Sequence, residues 1–261
     1  MRFKGTALLA AALVGIISYY FLIDLPSEKR KNKEKDRAEK VILFDPENVK
    51  GISFTKGEVT ITLKGLGIDE WQMTAPVNAK GDALAVSEFL SFLSNLNFTR
   101  VVEESSKDLS PFGLDTPGLR IILSMNNGET KGVRVGDDHP MGNKVYLALL
   151  KGSQVLAAGV TKNRLDRSAH DLRDKTILDF KTPLIKKIEF VRNDKTLNLI
   201  KDKESWKVLE NTMIAKGNET EIINLLNTIQ AANIEQFVDE KPKQLTSYGL
   251  NNAKLTVKLT T

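Results

Sequence analysis

Two histidines are the side chains in this sequence whose surroundings are most suited to chemistry. His139 lies in the segment Gly-Asp-Asp-His-Pro at residues 136–140, where carboxylate and imidazole groups could bind a metal ion. Aspartate and proline are also favoured in tight turns, and we predict a polar turn here rather than a metal site. His170 precedes two acids and an arginine within residues 171–174, which could form the acid–base cluster of a hydrolase. We favour a salt-bridged junction between two modules at this position.

Acidic pairs and tryptophans are the other candidate groups. The pairs at residues 103–104 and 239–240 could act as the two carboxylates of a glycosidase, but each ends a predicted strand, where we expect it to face water. We expect Trp71 and Trp206 to pack in or beside the core rather than to bind a ligand. The chain has no cysteine and neither of the common glycine-rich phosphate-binding motifs. We therefore predict no catalytic residue, no cofactor and no metal ligand, and we expect a protein that is not an enzyme.

A hydrophobic segment near the N-terminus predicts a transmembrane anchor at residues 1–26. Residues 5–23 carry no charged side chain, and as a helix they would span roughly 28 Å, close to the hydrocarbon thickness of a bilayer. A cleaved signal peptide would need small residues after the apolar core, whereas residues 19–23 are Tyr-Tyr-Phe-Leu-Ile. We therefore expect an uncleaved, single-pass helix.

The basic charge of the chain is concentrated beside this anchor. Of the net charge of +5, residues 1–40 contribute +4, from nine basic and five acidic side chains. The other 221 residues carry 29 basic and 28 acidic side chains, so they lack the basic excess typical of nucleic-acid binding. Residues 27–40 alternate in charge, which predicts a solvated stalk that could also contact anionic lipid headgroups. Charge counting favours a cytoplasmic C-terminal side, but a long domain can translocate regardless of such charges, so the orientation stays open.

The rest of the chain contains the same pattern twice, at an offset of 136 residues. Leu-Ser-Pro-Phe-Gly-Leu-Asp at residues 109–115 corresponds to Leu-Thr-Ser-Tyr-Gly-Leu-Asn at residues 245–251. Trp71 and Trp206 differ by 135 positions, which requires one residue of slippage in a turn. We therefore predict two copies of one module.

Each copy predicts an antiparallel sheet with one packing helix, so the expected fold class is α+β. Apolar residues spaced i, i+3, i+4 and i+7 predict one helix face at residues 86–93 and another at residues 222–229. Runs rich in alternating and β-branched residues predict strands around each helix. In the first copy these are residues 49–55, 58–64, 70–74, 98–103 and 119–125, and in the second they are 185–192, 196–200, 205–209, 234–239 and 255–260.

Caps and turns support the same assignment. Asp82 and Asn218 stand where helix N-caps are expected. Gly113 and Gly249 are expected to end a short helical turn, after which the next leucine packs back.

The first copy continues beyond the part that both copies share. We predict three further strands and a helix, at residues 131–135, 145–149, 155–158 and 161–168. The second copy reaches residue 261 at the point where the equivalent strands would begin. Either this copy is naturally short or the chain is a fragment of a longer protein, and we favour the fragment. The predicted modules are therefore residues 41–170 and a second, incomplete copy at residues 171–261.

Several short motifs, taken in their order along the chain, resemble one bacterial family. They are the anchor, Phe44-Asp45-Pro46, Trp71-x-x-Thr74-x-Pro76, Arg100-Val101-Val102-Glu103, the glycine turns at 112–115 and 248–251, Gly136-Asp137, and Asp171-Leu172-Arg173-Asp174-Lys175. Together they cover nearly the whole chain and resemble the family known as domain of unknown function 4340. The second copy departs from the pattern at residues 211–213, where Asn-Thr-Met replaces the Ala-Pro-Val of residues 75–77, so we expect that loop to differ in shape.

The resemblance implies an α+β fold, a protein anchored in the inner (cytoplasmic) membrane with its modules outside the cytoplasm, and no established catalytic residues. Some members of the family are thought to accompany ABC-type export or gliding-motility machinery. We therefore expect a non-enzymatic accessory or interaction protein, held in the membrane by residues 5–23, with a protein partner and no nucleic-acid partner. Transporter subunits are one candidate partner. The alternative is an extracytoplasmic module that binds a glycan or another small ligand.

Overall fold

The computed structural model describes most of the chain after residue 33. The described residues are 13, 20, 34–116, 118–140, 142–193, 195–203 and 205–261. The predicted anchor at residues 5–23 therefore lies outside the described residues, apart from Leu13 and Tyr20. Within the described ranges, no helix combines the length and the apolar character needed to cross a bilayer. Residues 34–38 of the predicted stalk are helical and exposed.

The chain forms two compact units, and the second spans Lys175–Thr261. The boundary predicted from the sequence, between residues 170 and 171, lies four residues earlier. The intervening segment belongs to the first unit because Asp174 is bonded twice to Lys80. The Asp174 N–H donates to the Lys80 carbonyl at 2.9 Å, and the Asp174 carboxylate forms an ion pair with the Lys80 ammonium at 2.8 Å.

Nine strands of the first unit form one antiparallel sheet. They are β1 (Val49–Lys56), β2 (Val59–Gly67), β3 (Glu70–Ala75), β4 (Ala79–Lys80), β5 (Phe98–Glu103), β6 (Leu119–Met125), β7 (Thr130–Asp138), β8 (Val145–Leu149) and β9 (Val155–Ala158). Their order across the sheet is β4-β3-β2-β1-β6-β7-β8-β9-β5. All the strands predicted for the first copy are present, so the sequence pattern is confirmed here.

Helix α1 (Ala83–Ser94) packs its predicted apolar face on this sheet. The Phe89 ring lies 5.0 Å from the ring of Phe54 on β1, in an edge-to-face arrangement. The Asp82 carboxylate accepts a hydrogen bond from the Ala85 N–H at 3.0 Å, which confirms Asp82 as the N-cap. The buried side chains of this face are Val86, Phe89, Leu90 and Leu93.

The helix predicted at residues 161–168 is confirmed at Lys162–Leu165 but is wrong beyond residue 165. Two short helices, α2 (Lys162–Leu165) and α3 (Ala169–Leu172), take its place. The Asp171 carboxylate accepts a hydrogen bond from the Ser168 N–H at 2.8 Å, and the Ser168 hydroxyl accepts one from the Asp171 N–H at 3.1 Å. Because this capping box needs extended backbone at Ser168, the chain leaves the helical conformation before α3 begins.

The second unit repeats the first part of the larger sheet. Its strands are β10 (Lys187–Arg192), β11 (Lys195–Asp202), β12 (Ser205–Glu210), β13 (Met213–Lys216) and β14 (Thr256–Thr260). Their order, β13-β12-β11-β10-β14, corresponds to β4-β3-β2-β1-β6. Helix α4 (Glu219–Ala231) packs Ile222 and Leu226 into a core that contains Trp206. The Asn218 side chain accepts a hydrogen bond from the Thr220 N–H at 3.1 Å, as expected of the N-cap.

One close backbone contact occurs in both units and shows the duplication in the structure. The Gly81 N–H donates to the Trp71 carbonyl at 2.7 Å, and the Gly217 N–H donates to the Trp206 carbonyl at 2.7 Å. A Cβ atom at either glycine would lie 2.9 Å from the Cβ of the tryptophan, so any other residue would collide there. With β-rich sheets and a packing helix in each unit, the fold class is α+β, as predicted.

The strand predicted at residues 234–239 is wrong. Its counterpart β5 is held in the sheet by pairing with β9. Among the residues described in the second unit, no strand takes the place of β9, and the Ile234 N–H instead donates to the Lys175 carbonyl at 2.8 Å. The loop at residues 211–213 differs from its counterpart, as expected. It is a two-residue turn in which Asn211 has a φ of +51°, whereas the counterpart loop in the first unit contains a cis Ala75–Pro76 peptide bond.

Candidate functional site

His139 lies in a tight turn between β7 and β8, in agreement with the turn predicted there. Its N–H donates to the Lys144 carbonyl at 2.9 Å, and its carbonyl accepts from the Gly142 N–H at 2.9 Å. The imidazole lies 5.1 Å from the Tyr146 ring, measured between centroids. In the part of the chain that the structure describes, no three His, Asp or Glu side chains come together in a group that could hold a metal ion.

His170 lies on α3, where the neighbouring acids have structural partners. Asp171 forms the capping box with Ser168, and Asp174 forms the ion pair described above. Burial raises the pKa of Asp171, but the hydrogen bonds from Ser168 and the nearby charges of Arg167 and His170 outweigh it. The pKa of Asp171 therefore lies below its ordinary value, and the carboxylate stays ionised as a helix cap.

The other candidate groups also have structural surroundings. The acidic pairs at residues 103–104 and 239–240 are exposed to solvent. Trp206 is 3% exposed and belongs to the core of the second unit, and Trp71 is half-buried against the core of the first. Both tryptophans therefore pack as predicted.

An open groove of about 820 Å³ lies in the second unit, between the segment before β10 and helix α4. The indole of Trp206 contributes to its wall, and Lys201 lies at its margin. Its polar groups are bonded to one another: the Thr182 hydroxyl lies 3.3 Å from the side-chain oxygens of both Asn227 and Gln230. The groove is therefore a candidate small-ligand site in which the side chains of Thr182, Asn227 and Gln230 already have partners within the protein.

A small apolar cluster in the first unit lies where the glycine turn meets the last strands of the sheet. Leu114 is fully buried against Ala148 on β8 and Val155 on β9. The turn that places it runs through Ser110–Phe112 and ends at Gly113, which has a φ of +65°. The half-buried members that complete this cluster are Val102, Leu109, Phe112 and Tyr146.

The second unit forms the same turn with the same hydrogen bonds. Gly249 has a φ of +68°, against +65° at Gly113. The leucine after each glycine donates its N–H to the first leucine of the turn at 3.1 Å, from Leu250 to Leu245 and from Leu114 to Leu109. The turn therefore has the same backbone conformation in both units.

The corresponding leucines differ in exposure between the two units. Leu114 is 0% exposed, whereas its counterpart Leu250 is 57% exposed. Leu119 at the start of β6 is 0% exposed, whereas Leu255 before β14 is 53% exposed. The prediction that the leucine after Gly249 packs back is therefore wrong. It is wrong because the residues described in the second unit include no strands in the places of β7, β8 and β9.

The edge of the smaller sheet adjoins these exposed side chains. Strand β6 pairs with β1 on one side and with β7 on the other, whereas β14 pairs with β10 alone among the described strands. The hydroxyl of Tyr248 donates to the Asp239 carboxylate at 3.1 Å, and this hydrogen bond raises the pKa of Tyr248. We call the free edge of β14 and its exposed apolar neighbours the open surface; the neighbours are Val238, Leu245, Tyr248, Leu250 and Leu255.

These observations define a class: a protein with a tandem α+β module, in which the described residues of the second copy repeat the sheet order β4-β3-β2-β1-β6 of the first. The model of the family described as domain of unknown function (DUF4340) matches residues 71–253, well over half of the 261 residues. The chain belongs to this family, as the motifs in the sequence suggested. Neither a curated protein nor a solved structure matches the chain.

Proposed function

We propose that this protein is a membrane-anchored, non-enzymatic interaction protein that recruits a protein partner. The uncharged segment at residues 5–23 carries this proposal, because it is long enough to hold the two units at a membrane. The 221 residues after residue 40 carry 29 basic and 28 acidic side chains, which disfavours a nucleic-acid partner.

The anchor at residues 5–23 supports a location at the inner membrane, and the family resemblance supports two units outside the cytoplasm. Nineteen uncharged residues are long enough for one crossing, and the charge-rich residues that follow would space the units from the lipid surface. The resemblance to proteins thought to accompany export and gliding machinery makes a membrane complex, such as transporter subunits, the first partner to test.

Fractionation tests the anchoring part of this proposal. The full chain, expressed in a bacterial host, should stay in the membrane pellet after an alkaline carbonate wash, which strips peripheral proteins. The variant lacking residues 5–23 should be released. Release of the full chain by the same wash would contradict anchoring.

Co-purification tests the interaction part. The full chain, solubilised from native membranes in mild detergent, should bring down the same partner in repeated preparations, and the partner should be depleted from the flow-through. A preparation that contains the chain alone, under conditions that preserve other membrane complexes, would refute the recruiting function.

A second candidate function is the binding of a glycan or another small ligand, and the groove beside Trp206 favours it. A concave groove with an aromatic wall and a few polar side chains is typical of small-ligand sites. Titration of oligosaccharides against the intrinsic fluorescence of the W71F variant, in which Trp206 alone reports, would detect such binding. An unchanged emission spectrum across the set would remove this candidate.

A further inference from the structure

We propose that the first unit binds a small organic monocarboxylate with an apolar body, and that Arg167 holds the carboxylate. The site is an open cavity of about 450 Å³ between the sheet and the segment that contains α2 and α3. This volume lies within the range usual for small-molecule sites, about 300–1,000 Å³. All the lining residues belong to the first unit, so the cavity is a different site from the groove beside Trp206.

The floor of the cavity is apolar and belongs to the core of the first unit. Phe54 on β1, Ile61 on β2 and Leu119 on β6 line it, and each of these side chains is at most 7% exposed. Val59, at the start of β2, also lines the cavity but is 59% exposed. Because removing apolar surface from water favours binding, this floor suits a ligand with a hydrocarbon body.

Most of the charged groups at the cavity already have strong partners within the protein. The Lys56 ammonium forms an ion pair with the Asp166 carboxylate. The Asp171 carboxylate accepts hydrogen bonds from the Ser168 N–H and hydroxyl, at 2.8 and 2.7 Å. A ligand would have to break these bonds before it could use the same groups.

Arg167 is the charged group at the cavity whose hydrogen-bonding capacity stays unused. Its guanidinium lies over the Phe89 ring, with 5.5 Å between the guanidinium carbon and the ring centroid. The structure gives Arg167 no hydrogen bond and no ion pair to any described residue, and its charge acts on Asp171 only at longer range. A guanidinium that rests on an aromatic ring keeps its in-plane N–H groups for bidentate binding of a carboxylate.

The charges around the cavity favour a ligand with a single negative charge. Lys56 and Asp166 neutralise each other, and the unused groups of Arg167 are donors only, so the ligand must supply acceptors. A carboxylate presents two acceptor oxygens in one plane, which matches the guanidinium. A dianion would bring a second negative charge close to Asp166 and Asp171, and no further cation lines the cavity to offset it.

Arg164 offers a comparison within the same segment. Its guanidinium lies over the Phe92 ring, 4.8 Å from the centroid, much as Arg167 lies over Phe89. Both rings belong to α1, so both arginines cover the same helix. Arg164 does not line the cavity, whereas Arg167 does. A purely structural role would therefore be common to the two arginines, and a ligand would distinguish them.

Isothermal titration calorimetry on the full chain in phosphatidylcholine nanodiscs tests this proposal, with 4-phenylbutyrate as the probe. The unaltered chain should bind the probe saturably, and Arg167→Gln should bind it at least about tenfold more weakly. Arg164→Gln is the matched control, and its affinity should be unchanged. Because both variants are measured in the same discs, uptake of the probe by lipid cancels in the comparison.

Two further probes test the chemistry of the ligand. The neutral 4-phenylbutanamide keeps the apolar body, and acetate keeps the carboxylate. Each should bind the unaltered chain at least about tenfold more weakly than 4-phenylbutyrate. Binding of the amide with equal affinity would overturn the assignment of a carboxylate to Arg167, and equal binding of acetate would overturn the role of the apolar floor.

Val59→Trp tests the cavity without altering Arg167. Because Val59 is 59% exposed, the fold should accept the larger side chain, which should fill the cavity and weaken binding at least about tenfold. Circular dichroism establishes that each variant is folded. Failure of the unaltered chain to bind the probe, or full affinity in folded Arg167→Gln or Val59→Trp, would overturn the proposal. The result does not depend on a protein partner, so it stands or falls separately from the proposed interaction function.

Discussion

Truncation of one repeated leucine should have very different effects in the two units. Leu114 and Leu250 occupy the same position in the repeat, after glycines with nearly the same backbone conformation. Leu114→Ala removes three carbons from a fully buried site, which costs roughly 2.4 kcal/mol of transfer free energy before any cavity is counted. With the cavity that buried Leu→Ala changes leave, we expect a loss of about 3 kcal/mol.

Leu250→Ala should be much less costly. Because 57% of the Leu250 side chain is already in contact with solvent, less than half of the transfer term applies, which is about 1 kcal/mol or less. No enclosed cavity should form at an exposed site. Leu226→Ala is the control within the second unit, since Leu226 is 1% exposed, and it should cost about 2–5 kcal/mol.

The two tryptophans allow each unit to be followed separately. In the W206F background the emission of Trp71 reports unfolding of the first unit, and in W71F the emission of Trp206 reports unfolding of the second. Urea titrations then give the change in the free energy of unfolding for each alanine variant. A loss at Leu250 as large as the loss at Leu114 would show that the second copy buries this leucine, and the open surface would not exist.

Three smaller predictions follow from individual contacts, each measured by denaturation. Gly249→Ala should lower the free energy of unfolding by about 1–2 kcal/mol, from the left-handed backbone alone. Gly113→Ala should lower it more, because its Cβ would lie 2.7 Å from the Asp137 carboxylate. Equal losses of stability would contradict this. Asp82→Ala should destabilise the first unit by about 1 kcal/mol through loss of the helix cap, and a neutral effect would refute that role. Hydrogen bonds from lysines on β10 and β14 lower the pKa of Glu189, so Glu189→Gln should lower the melting temperature of the second unit near pH 7. Because a lowered pKa stabilises the fold only while the carboxylate is ionised, that difference should disappear near pH 2, and a constant difference would contradict the reasoning.

Much of the fold could be predicted from local pattern. The periodicity of residues 86–93 and 222–229 identified both helices, and Asp82 and Asn218 identified where they begin. Strand positions followed from short apolar runs, since each strand has one face on a core. The glycine turns were predictable as well, because few residues other than glycine adopt a positive φ at low cost.

The errors arose where a conformation depends on a distant partner. Residues 234–239 resemble β5 in sequence, and Leu250 resembles Leu114, but the residues described in the second unit include no strands in the places of β7, β8 and β9. Both segments keep the apolar residue types of the first copy, so the sequence pattern alone predicts that they are buried. The helix predicted at residues 161–168 is wrong beyond residue 165 for a local reason, since the Ser168 capping box competes with helix continuation. The candidate site was therefore visible only when the two units were compared in three dimensions.

Hydrogen exchange along β6 and β14 tests the central claim most directly. In an edge strand, alternate N–H groups point away from the sheet and have no partner, so they exchange with solvent much faster than paired groups. We expect every amide of β6 to be protected and alternate amides of β14 to exchange rapidly. Uniform protection along β14 without a partner would contradict the account.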